Sequence, residues 1–273
     1  MQQNSKEIQK RYEGFLQTPF LWTTTTLHGL KPFLCAPKFT KINLEIDENQ
    51  RLGKYIERFV SFEFQQQESI NIIAENIQIQ QDKLTLGELD CLLYKDSKPY
   101  HIEIVYKFYL YDATVGTTEI AHWIGPNRKD SLQEKITKLS QKQLPLLYSK
   151  EATSYLKTLG LDNTQWEQQV YFKAQLFVPL DSKLPKFKLL NEDCVVGFYA
   201  KTTQLKRYQK AKFYIPNKKD WLLILHPQVS WISYEDFMQK AVEYEHQKYA
   251  PLCWLKSETG ELQKFFLVWW DTA

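Results

Sequence analysis

The sequence predicts an α/β protein. Its central part should run helix, three strands, helix, a short further helix and a strand, followed by an α+β C-terminal region. Three observations predict this. Residues 47–66 carry an apolar stripe at helical spacing, formed by Leu52, Tyr55, Ile56, Phe59 and Val60. Between 69 and 111 the apolar period switches to two, over three successive segments. Ser131-Leu132-Gln133-Glu134 is then a capping-box pattern that opens another helix.

The 273 residues allow one large domain or two small ones. With 43% hydrophobic and 25% charged residues, the chain can bury a core and global disorder is not expected. Aromatics at 15% fit a Trp- and Tyr-rich core or a stacking surface. The net charge of +3 is too mild to imply a polyanion partner without local clustering. Cys35, Cys91, Cys194 and Cys253 lie far apart, which argues against a zinc site or a disulfide framework. The polar N-terminus lacks the apolar stretch of a secretory signal. No apolar run approaches the roughly 18 residues of a membrane span, so a cytoplasmic, non-membrane protein is expected.

In chain order, residues 5–17 fit a short helix that ends before Pro19. Residues 18–46 hold a threonine run, Pro32 and Pro37, and read as an irregular packing segment with one strand at 42–46. Asp47 or Asn49 can cap the helix of 47–66. Ile70, Ile72, Ile77 and Ile79 alternate as a first strand. After the hairpin of 86–111, the helix opening at Ser131 should point Leu132, Ile136 and Leu139 at the core and end near Pro145. Residues 150–159 read as a helix closed by Gly160, and 170–178 as a strand. Beyond 181, strands are expected near 194–200, 211–216 and 221–225. A helix is expected over 234–248, then a hairpin turning at 257–260. The expected organisation is a packing segment at 1–46, a core at 47–180 and an extension at 181–273 packed on that core.

The hairpin organises the chain. Lys95-Asp96-Ser97-Lys98 is its turn. A symmetric turn makes facing residue numbers sum to 193, which sets Asp90 opposite Glu103. Like charges facing each other across a strand pair, roughly 5 Å apart at Cβ, are destabilising. Such a pair needs a shared proton or a cation, and a hard divalent ion with oxygen ligands fits. A solvated sheet face with scattered charge is the alternative.

Gly87-Glu88-Leu89-Asp90, then Glu103 through Lys107, then Trp123 through Ser131, together resemble an uncharacterised bacterial family placed in the PD-(D/E)XK nuclease superfamily. The resemblance covers about 50–180, and more loosely the rest. It implies a restriction-endonuclease-like αβββαβ core and a Mg2+- or Mn2+-dependent nuclease. Asp90 and Glu103 would hold the ion, Glu57 on the preceding helix would join them, and Lys107 would steady the attacking hydroxide. The chain departs from the pattern in one place. The superfamily lysine falls two residues after the second acid, and that position is Val105. Lys107 lies roughly 13 Å along a regular strand from Glu103, unless a bulge shortens the path. Gln141, Gln143 and Tyr148 loosely resemble the glutamine-and-tyrosine motif of some of these nucleases, at a different spacing.

Two regions point to nucleic acid, DNA or RNA. Asn127, Arg128 and Lys129 precede a helix N-terminus, which is an anion site when its amides are free. Over 201–220, Lys201, Lys206, Arg207, Lys210, Lys212, Lys218 and Lys219 face Asp220 alone, a local balance of +6. Tyr208, Phe213 and Tyr214 are interleaved, as in surfaces that pair phosphates and stack bases. A capped helix and a lysine-rich surface loop are the alternatives. No HExxH, GxSxG, Walker or GxGxxG pattern occurs. The functional expectation is therefore a nuclease, or a non-catalytic nucleic-acid-binding or complex-forming protein on the same fold. A small-molecule enzyme in the aromatic C-terminal half has no motif behind it.

Overall fold

A computed structural model describes residues 2–24, 26–161 and 164–271, and the side chains from Ser5 onward. The chain is a mixed α/β protein whose contacts cluster in two compact units. The first unit holds residues 20–106 and 134–173; the second holds 1–19, 107–133 and 174–273. Three consecutive blocks were expected. The chain instead alternates between the units, crossing from one to the other after Pro19, inside strand β3, near the start of the helix that opens at Leu132, and inside strand β5.

In the first unit the strand order is β1 (Ile70–Gln81), β2 (Leu84–Lys95), β3 (Lys98–Tyr111), β5 (Glu167–Pro179), the last two contributing their 98–106 and 167–173 parts. The β2–β3 register runs from Lys95↔Lys98 to Cys91↔Ile102, each pair summing to 193 as the turn predicted. Asp96 and Ser97 both have positive φ, 48° and 63°. That is the primed turn whose twist matches the flanking strands. Helix α2 (Leu52–Gln65) packs on β1, burying the stripe Tyr55, Ile56, Phe59 and Val60. Neither Asp47 nor Asn49 caps it. Asp47 accepts the Asn49 N–H at 2.8 Å in the turn ahead, and the helix begins after an uncapped Arg51.

Helix α3 (Leu132–Lys138) buries Leu132 and Ile136, but the helix does not stop at Pro145. It widens to a π-turn over Leu139–Gln143 and continues as α4 (Leu144–Leu146). The Leu144 N–H bonds the carbonyl five residues back, at Leu139. Proline has no N–H and crowds the carbonyl four residues back, so a widened turn just ahead of it lets the helix continue. Helix α5 (Lys150–Thr158) is capped by Ser149. It closes where Gly160, at φ 69°, lets the Leu161 N–H reach back to Leu156. Ile77, Ile79, Leu89, Leu92, Leu147 and Leu156 form one core cluster of this unit.

In the second unit the order is β5, β6 (Val195–Ala200), β9 (Leu262–Leu267), β8 (Leu252–Lys256), β7 (Lys212–Tyr214). β6 is parallel to β5 and β9; β8 is antiparallel to β9 and β7. A two-residue strand, β4 (Trp123–Ile124), pairs with the end of β3. Helix α1 (Gln2–Gln17) and helix α6 (Tyr234–His246), capped by Ser233, complete the unit. The strand expected near 221–225 is absent. Asn217 Oδ1 accepts the Lys219 and Asp220 N–H groups at 3.1 Å, and this turn leads into a 3-10 segment over Asp220–Leu222. Trp221 and Leu222 are thereby buried from a turn. The strand expected at 42–46 is also absent; Ile42 and Ile46 are buried from irregular backbone.

Candidate functional site

The β2–β3 ladder stops at Cys91↔Ile102, one pair short of Asp90 and Glu103. There the Asp90 side chain replaces main-chain pairing: its Oδ2 accepts the Ile104 N–H at 2.8 Å. The strands part, and the two carboxyl groups meet in the opening. Glu103 is fully buried. Asp90 lies close enough for the two carboxyls to act on each other's charge, Gln143 Nε2 donates to its Oε2 at 2.5 Å, and His101 Nε2 lies 3.2 Å from its Oε1.

The histidine tautomer follows from its neighbours. Gln168 Nε2 lies 2.9 Å from His101 Nδ1 and 2.6 Å from the Leu144 carbonyl. An amide nitrogen only donates, so Nδ1 accepts and Nε2 carries the proton given to Glu103. Burial lowers the His101 pKa to about 4. The contact with Glu103 is therefore a hydrogen bond from a neutral imidazole and not an ion pair.

Both carboxyls are pushed above their usual range. Desolvation is the main cause for each, and for Asp90 the Glu103 charge comes next, bringing it to about 7. When one carboxyl holds a proton it bonds the other; when both are ionised they repel. Lys135 opposes the rise at both acids. Its Nζ donates to Gln143 Oε1 at 2.8 Å. The π-turn brings Gln143 under a lysine eight residues earlier, so one helix delivers an amide and a positive charge to the pair. Single π-turns inside helices recur at functional sites.

Glu57 stands beside this pair on α2. Burial raises its pKa, and repulsion from Asp90 and Glu88 adds to the rise against the Lys54 contribution. Lys54 Nζ bonds Glu57 Oε2 and Asn76 Oδ1, each at 2.8 Å, and also Glu88. An ammonium thus already occupies the space among these acids, at the wall of a cavity of about 450 Å3 that Arg51 and Arg58 also line. Among the described residues no group of three or more His, Cys, Asp or Glu is arranged to hold a metal ion. Two paired carboxylates with oxygen donors do fit Mg2+, which uses one or two protein carboxylates and takes its other ligands from water and phosphate.

The remaining sequence-predicted residues lie in the second unit. Lys107 Nζ bonds Asp130 Oδ2 at 2.5 Å. Val105, at the usual lysine position, is buried. Asn127 Oδ1 accepts the Ala250 N–H at 2.8 Å. Arg128, at φ 54°, donates to Asp112 at 2.7 Å and lies 4.8 Å over the Trp270 ring. These two side chains latch loops together, which corrects their expected place on an open anion site; Lys129 is exposed. Acids distant in sequence reduce the 201–220 charge: Asp271 pairs Lys201, Asp181 pairs Arg207 and Glu258 pairs Lys210. Lys206 and Lys212 are exposed.

A profile of the family described as "Domain of unknown function (DUF1853)" matches residues 26–268. The chain belongs to that family. The match takes in the Asp90–Glu103 hairpin, the π-turned helix and the second unit through β9. Searches of the curated proteins and of the solved structures found no match. No helix among the described residues is long and apolar enough to cross a membrane. The sequence placed Lys135 only among the lysines of the helix after Ser131, expected to line a groove leading to the acid pair, and set Gln143 aside on spacing. The π-turn over Leu139–Gln143, which spacing does not reveal, is what carries Gln143 to Glu103.

Proposed function

We propose that this protein is a divalent-metal-dependent nuclease, built on a restriction-endonuclease-like core, that hydrolyses nucleic acid phosphodiesters. The element order α2-β1-β2-β3-β4-α3-α4-α5-β5, in which β4 has two residues and α4 continues α3 through the π-turn, supports that core. The observation that carries the activity is the Asp90–Glu103 carboxyl pair at the point where the β2–β3 ladder opens. Asp90 and Glu103 would hold Mg2+ or Mn2+, with Glu57 joining when Lys54 yields it. The ion, when bound, supplies an activated water and charge neutralisation at the scissile phosphate. His101 and Gln143 fix the Glu103 carboxylate, and Gln143 also holds Lys135. Lys135 takes over the electrostatic role assigned to Lys107, since Lys107 is bound to Asp130.

The test is cleavage of end-labelled DNA and RNA in Mg2+, Mn2+ or chelator. Metal-dependent cleavage by the wild type that is lost in Asp90→Asn and Glu103→Gln supports the proposal. Absence of cleavage with every substrate and metal overturns it. The second reading is a non-catalytic nucleic-acid-binding protein. It is favoured by one observation: both Glu103 oxygens and the Lys107 ammonium already have protein partners. Salt-dependent binding without cleavage would establish it.

A further inference from the structure

The second unit contains a separate open cleft of about 220 Å3, lined by the end of α1, the 222–225 segment and strands β5, β6 and β9. Lys264 of β9 lines it and is only 7% exposed. Among the described residues, no carboxylate pairs with this ammonium. Its hydrogen bond there is to Gln175 Oε1, at a long 3.3 Å. An ammonium has three donors, so two remain unsatisfied. Burying such a group without a counter-charge is costly, and desolvation alone lowers its pKa, to about 8. At neutral pH the group still carries its charge.

Most of the rest of the lining is apolar, from Leu222, Leu223, Leu225, Pro19 and Val196, with Gln17 and Thr18 beside them. The volume falls below the roughly 300–1,000 Å3 of pockets for drug-sized ligands, so the occupant has few heavy atoms. A small anion with an alkyl end matches an ammonium set among apolar side chains. We infer that this cleft binds a short-chain monocarboxylate, with the Lys264 ammonium pairing the carboxylate and the leucine side chains receiving the tail. Phosphate would satisfy the ammonium but leave its other oxygens against leucine and proline. The uncharged amide of the same chain would fill the space but leave the ammonium unpaired.

The full chain should be titrated calorimetrically with butyrate, butyramide and inorganic phosphate. Butyrate should bind at least about tenfold more tightly than either competitor. Lys264→Met should lower butyrate affinity by about the same factor, and should fold because it removes an uncompensated buried charge. A second readout needs no variant. In the wild type, butyrate at about ten times its Kd should slow acetic anhydride labelling of Lys264 about tenfold, followed by mass spectrometry. Failure of butyrate to bind, equal binding of butyramide or phosphate, or an unchanged labelling rate would each overturn the inference.

Discussion

Replacing Asp90 with Asn should make the protein more stable near neutral pH, and the gain should depend on pH in a defined way. A carboxyl whose folded pKa is raised favours the folded state fully below its unfolded value. It loses that advantage as pH climbs to the folded value. For Asp90 the two values are 3.8 and about 7. At about 1.4 kcal/mol for each pH step, the wild type should lose on the order of 4 kcal/mol across that window. His101 acts oppositely: its pKa falls from 6.5 to about 4, so it adds stability as pH rises between those values. Glu103, also raised to about 7, titrates in the same window, so the raw pH profile mixes all three groups. The difference between wild type and Asp90→Asn removes the His101 contribution and reports Asp90 together with its coupling to Glu103. Urea denaturation from pH 4.5 to 7.5 should show this difference growing in favour of Asn, with unchanged m-values. Mg2+ at pH 7.5 should close part of the gap, by about 1.4 kcal/mol at ten times its Kd, in the wild type alone. A difference flat with pH would refute the coupled buried pair, and no Mg2+ effect would refute its use as a metal site.

Gln143→Leu removes a donor from buried Glu103 and from Lys135 a hydrogen-bond acceptor. It should cost about 1–3 kcal/mol of stability and weaken metal binding measured by calorimetry. Arg128→Ala should destabilise the protein by a similar amount, about 1–3 kcal/mol, by leaving buried Asp112 its Thr114 bonds but no counter-charge, while nucleic acid affinity stays constant. Reversing Lys206, Lys210 and Lys212 to Glu should flatten the slope of log affinity against log salt by about 0.7 to 0.9 for each phosphate no longer neutralised. An unchanged slope in filter binding would make that surface a solvated face.

What was legible in the sequence was local. The hairpin register followed from a four-residue turn, because a primed two-residue loop leaves the strands one way to pair. The helices at Leu52 and Leu132 followed from apolar spacing and that at Tyr234 from its Ser233 cap. The misses share a cause: a side chain spent its hydrogen-bonding capacity on a partner that spacing does not reveal. Asp47 turned to Asn49 and left α2 uncapped. Asn217 bent the 217–222 segment into a turn, so the apolar run after Lys219 packed without joining a ladder. Arg128 and Lys107 looked like free cations until Asp112 and Asp130 claimed them.

The missing lysine has a physical explanation of the same kind. A strand position two residues after Glu103 would put an ammonium on a face that here is interior, beside the fully buried His101 and Glu103. An ammonium buried there would need further partners, and Val105 instead fills the space with apolar volume. On the covering helix, Lys135 supplies a positive charge to the pair from the rim. Lys135 stays partly exposed, keeps its stem on the helix and presents its charge to both acids. The π-turn then holds Gln143 between that charge and Glu103, so the acid pair and its cation are joined through one amide.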